Sequence, residues 1–111
     1  MKYLILVICL IGSSLLLAHP ASEVNLEFDK ETHHLTVDFA HKVKDAEKHF
    51  ILEVVVNLNK EEIITQKLAK QDNTEGGSLV YKIIDAKPGD KIKVSIKCNK
   101  IGKKSAEITI E

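Results

Sequence analysis

The chain has 111 residues, no tryptophan and a formal net charge of zero. All 16 basic residues are lysine; without arginine to read guanine or phosphate with a two-pronged fork, and without a basic block, nucleic acid is excluded as an expected partner. The length supports one domain with a modest core, and no internal repeat, low-complexity tract or linker divides it.

Residues 1–18, MKYLILVICLIGSSLLLA, read as a secretory leader. Lys2 supplies the positive start, Leu4 to Ile11 the apolar centre, and Ala18 the small residue before a cut. Leu16 is not small, so a cut after Ala21 is the second option. As a membrane anchor the stretch falls short, because Gly12, Ser13 and Ser14 interrupt a segment that must cross about 30 Å of hydrocarbon. The expectation is therefore an exported domain, residues 19–111, periplasmic or secreted and free of the membrane once the leader is gone. Cleavage would also remove Lys2, tipping the balance one charge to the acidic side, and Cys9, leaving Cys98 alone. A lone thiol in an exported chain points to a reactive group, a metal ligand or an intermolecular bridge.

Alternation of apolar and polar residues dominates the rest of the chain. Val24, Leu26 and Phe28 share one phase, and Leu35, Val37, Phe39 and His41 share the next. "HFILEVVVNL" is a nearly continuous apolar run that reads as a central strand. Asn59-Lys60 turns it back into "EEIITQKL". The polar, glycine-ended "KQDNTEGG" reads as a loop before the strand "SLVYKII". "AKPGD" is a turn, after which Ile92, Val94, Ile96 and Cys98 alternate with lysines and a serine. Ala106, Ile108 and Ile110 complete a last strand. "KVKDAEKH" is too short to stand as a helix and reads as a connection. About seven short, evenly spaced strands predict an all-β fold, an immunoglobulin-like antiparallel β-sandwich.

With a side-chain period of two, His41 and Cys98 each carry an inward-facing apolar row to its end, at the rim of the core. His49 opens the central strand, and its facing depends on whether a bulge intervenes. Imidazole with thiolate suits iron, copper or zinc, so His41, His49 and Cys98 form a candidate site if their strands adjoin. The alternative is a buried cysteine acting as a small hydrophobe beside solvated histidines. His19 would become the first residue after a cut at Ala18, offering an amine and a ring nitrogen to copper, or simply fraying. His33 and His34 fall in a strand-to-strand turn and read as solvated.

"AHKVKDAEKHFI" and "KPGDKIKVSIKCNKIG" resemble the iron-binding domain of desulfoferrodoxin and neelaredoxin, the superoxide reductases. The likeness covers most of residues 19–111, and its sharpest parts are these two motifs. It implies an immunoglobulin-like sandwich on which histidines and one axial cysteine hold iron. On this likeness His41 corresponds to the loop histidine, His49 to the strand-start histidine, Cys98 to the axial thiolate and His19 to the first histidine. Ile101 stands where the last motif histidine would be, and Lys42 replaces a proline. The resemblance further implies ferrous iron that reduces superoxide to peroxide, an electron-donor protein as partner, and Lys48 as the charge that attracts the anion. "HFILEVVVNLN" and the "PGD" turn are also similar to a sandwich subunit of the sulfur-oxidation carrier complex, which requires no metal. Two other readings stay open: a metal-free exported binding or assembly module working through its edge strands, and a copper protein using His19 and Cys98.

Overall fold

The computed structural model describes residues 19–111; the leader read in residues 1–18 lies outside them. Seven strands form two antiparallel sheets, with no helix among the described residues and so none long and apolar enough to cross a membrane. They are β1 (Glu23–Asp29), β2 (His34–Ala40), β3 (Ile51–Leu58), β4 (Glu61–Lys67), β5 (Gly76–Lys82), β6 (Lys91–Cys98) and β7 (Lys103–Thr109). One sheet has the order β1-β2-β5 and the other β4-β3-β6-β7. The chain changes sheet after β2, β4 and β5, which gives the crossed connections of an immunoglobulin-like sandwich.

The alternation predicted from the sequence is the alternation of burial. Leu35, Val37 and Phe39 of β2 and Ile92, Val94 and Ile96 of β6 are buried, as are Ile51, Val54 and Val56 of β3. These β-branched and aliphatic side chains interdigitate between the sheets, each contributing about 1.5–3 kcal/mol on burial. The Asn59-Lys60 hairpin forms with φ of 51° and 73°, the left-handed pair that matches strand twist. Asn59 then locks the neighbouring turn: its Nδ2 donates to Asp90 Oδ1 at 3.0 Å, and its Oδ1 accepts Lys91 N–H at 3.0 Å.

One boundary differs from the sequence reading. Gly76 and Gly77 belong to β5 rather than to the loop, and β5 ends at Lys82. A Cβ on Gly76 would stand 2.0 Å from the Phe39 carbonyl oxygen, so only glycine lets β5 close on β2 there. Beyond Lys82, Ile83 enters the core and Ile84 is exposed.

The register places four segments at one end of the sandwich: residues 19–22, 41–50, 68–75 and 99–102. Ala40 pairs with Glu23 and with Gly76 in one sheet, and Ile51 pairs with Cys98 in the other. All the candidate site residues lie at this end.

Candidate metal centre

His41 follows β2 by one residue and keeps its inward phase, so its ring is fully buried. The residue that orients it is Gln71, from the β4–β5 connection, itself 3% exposed. Gln71 Nε2 donates to the His41 carbonyl at 2.7 Å and to the Asn73 carbonyl at 3.0 Å. Its Oε1 is therefore the accepting end, and it faces Ile51 N–H at 3.3 Å and His41 Nδ1 at 2.9 Å. A neutral imidazole has one N–H, and Gln71 claims it for Nδ1. Nε2 is left with a bare lone pair, 3.1 Å from the His19 carbonyl oxygen. In the neutral ring two acceptors then face each other, one of them on a fully buried side chain. Leaving a buried polar atom in that state costs about 1–3 kcal/mol, and a proton or a metal cation on Nε2 removes the cost.

His19 is held in the same manner, with Nδ1 at 2.8 Å from the Pro20 carbonyl and Nε2 at 2.9 Å from the Lys42 carbonyl. One of these contacts is donor to acceptor; the other again sets a lone pair against an oxygen. Pro20 is positioned from behind by Gly102, whose φ of 85° and missing Cβ allow close contact: a Cβ there would lie 2.8 Å from Pro20 Cβ.

His49 ends a tight turn in which Asp45 accepts Lys48 N–H and His49 N–H through its carbonyl and Glu47 N–H through Oδ1. A bulge between Ile51 and Glu53 resets the phase of β3, which is the ambiguity the sequence left at His49. Its ring lies in the cluster, with Nε2 at 3.2 Å from Cys98 Sγ. Burial first, with the surrounding polar groups and Lys100 acting in the same direction, holds the His49 imidazole below the usual histidine range. That favours the neutral form a metal requires. Cys98 is buried and unpaired, and its sulfur also accepts Lys100 N–H at 3.3 Å. Asn99 ties the two loops together, accepting Phe50 N–H at 2.9 Å and donating to the Lys48 carbonyl at 3.0 Å.

The rings of His19, His41 and His49 stand with centroids 4.7–5.3 Å apart. One ligand nitrogen from each lies within 4.8 Å of the others, so the three form a group that could hold a metal ion. Nitrogens bound at 2.0–2.1 Å around a tetrahedral ion are about 3.3 Å apart, so the pair separations must shorten by up to about 1.5 Å as the rings turn toward a common centre. The donor set fits. Three imidazoles, one of them tautomerically fixed by a second-sphere amide, are common ligands of first-row metal ions.

Of the residues singled out from the sequence, His19, His41 and His49 come together. Cys98 touches the group through His49 rather than belonging to it. Lys48 lines a cleft of about 470 Å³ together with His19 and His49. Ile101 is 58% exposed in the β6–β7 loop. His33 is remote from the group, bonded through Nδ1 to the Ile83 carbonyl. Sequence reasoning missed Gln71, Asn99 and Gly102 as positioning residues. Asn99 and Gly102 stand inside the motif "KPGDKIKVSIKCNKIG", whereas Gln71 sits in a loop whose polarity carries no signal. Compared with protein-family models, curated proteins and solved structures, the chain matches none.

Proposed function

We propose that the protein is an exported metal-binding β-sandwich that holds iron with His19, His41 and His49, joined, as the resemblance to the superoxide reductases implies, by the adjacent Cys98 thiolate, and that it reduces superoxide. The observation that carries the metal is the buried lone pair on His41 Nε2, which Gln71 orients into the cluster and which has no donor opposite it. Iron, and superoxide as substrate, rest on the resemblance to the superoxide reductases.

Ferrous iron would supply the single electron that, with two protons, takes superoxide to hydrogen peroxide; an electron-donor protein restores it. The chain's own groups have separate tasks. Neutral His19, His41 and His49 bind the cation, and Gln71 holds the proton on His41 Nδ1. The Lys100 N–H stabilises charge on the Cys98 sulfur. Lys48, beside His49, draws the anion toward the cluster. Ile101 supplies no imidazole, so the donor set has one histidine fewer than the resemblance implies and would hold an ion more weakly.

One observation favours a metal-free binding or assembly module: both ring nitrogens of His19 already engage backbone carbonyls. Copper or zinc on the same donors would keep the centre and remove the superoxide chemistry. The test is spectroscopic. The full protein, loaded with ferrous iron and then oxidised, should show a thiolate-to-ferric charge-transfer band that Cys98→Ser abolishes. It should also consume superoxide faster than spontaneous dismutation. Protein that takes up no metal and has a freely titratable thiol would overturn the reading.

A further inference from the structure

The cleft above His19 and His49 is lined by Lys42, Lys44, Lys48 and Lys100, with Asp45 as its one carboxylate. Asp45, whose Oδ1 accepts Glu47 N–H at 2.9 Å, offsets one of these four charges and leaves the lysines in excess. Four flexible cations would ordinarily spread apart. Here three have their backbones pinned by the histidine–cysteine cluster or by the residue beside it. The Lys42 carbonyl is held by His19 Nε2, the Lys48 carbonyl by Asn99 Nδ2, and Lys100 N–H by Cys98 Sγ.

A second basic cleft lies at the opposite end of β3 and β6. It is lined by Lys60, Lys91 and Lys93, but Glu107 pairs directly across from Lys93 and balances part of the charge. The cleft beside the histidines sets four lysines against Asp45 alone among the described residues, a larger excess of positive charge than three lysines against Glu107. Like charge gathered on a concave surface focuses potential and concentrates small anions.

We propose that this cleft is a binding site for a small multivalent oxyanion, larger than superoxide and seated between Lys48 and Lys100 against His49. A cleft of about 470 Å³ lies in the range used for organic ligands, and a diatomic anion would fill little of it. Lysine ammonium groups act as point charges that do not select a planar from a tetrahedral partner. The shared chemistry is thus a polyanion of carboxylate or phosphate type. The site stands apart from the metal reading, since lysines bind the anion whether or not the histidines hold an ion.

The experiment uses the full chain, stripped of metal by a chelator and exchanged into a non-coordinating, low-salt buffer. Citrate and inorganic phosphate are titrated separately while the His49 ring and Lys100 amide resonances are followed by NMR. Saturable shifts at both positions are expected, weakened about tenfold or more in Lys48→Gln/Lys100→Gln, and by added salt. Lys60→Gln/Lys93→Gln should leave them unchanged. Response to citrate alone assigns a carboxylate ligand, and response to phosphate alone a phosphate one. No saturable shift with either anion up to about 10 mM, a binding free energy of only ~2.7 kcal/mol, overturns the proposal. So does equal weakening in the Lys60/Lys93 pair.

Discussion

Gln71 sets what His41 can offer. Its amide satisfies the His41 carbonyl and Ile51 N–H while fixing the imidazole proton, so its loss orphans several buried groups at once. Gln71→Leu should lower stability by about 3 kcal/mol in urea unfolding, from the cost of unsatisfied buried partners. Metal affinity should fall about 10–100-fold, the usual effect of removing a second-sphere partner. Asp90 gives a pH prediction at the same scale. Asn59 Nδ2, and then Lys87 N–H, hold its carboxyl below the ordinary 3.8. The unfolded chain therefore takes up the proton first as pH falls. The stabilisation is full well above pH 3.8 and disappears as pH drops through the lower folded value. Asp90→Asn should accordingly melt below the wild type at pH 7, and the two melting temperatures should converge in strong acid.

Each strand was readable because one face of each sheet is buried, so a period of two in the sequence becomes a period of two in burial. That rule also located His41 and Cys98, since both extend buried rows past their last apolar residue. It left the facing of His49 open, where a bulge in β3 breaks the phase, and it failed at Gly76, where a close backbone approach looks in sequence like a loop. The β6–β7 connection is where an element's geometry reaches the site. Gly102 combines a φ of 85° with contact on Pro20, so Gly102→Ala should cost about 1–2 kcal/mol in backbone strain. Because Pro20 carries His19, metal affinity should fall in this variant even after allowance for the stability loss. Equilibrium unfolding and metal titration on one preparation separate the two effects.

Across the whole molecule, four segments far apart in sequence meet at one end of the sandwich. The two contacts that organise the centre, His41 with Gln71 and His49 with Cys98, join residues 30 and 49 positions apart. No local pattern encodes such pairs; they arise from strand order and register, which a single sequence leaves open. The candidate ligands were legible because histidine and cysteine are few, whereas the amides that orient them were hidden among ordinary polar loop residues. Whether this end of the fold binds a metal ion is measured directly by titrating the chelator-stripped full chain with ferrous and zinc ions. One ion per chain is predicted, with affinity reduced about 100-fold or more in a folded His49→Ala variant. A wild-type chain that binds neither ion, or a His49→Ala chain that binds as tightly as the wild type, would contradict it.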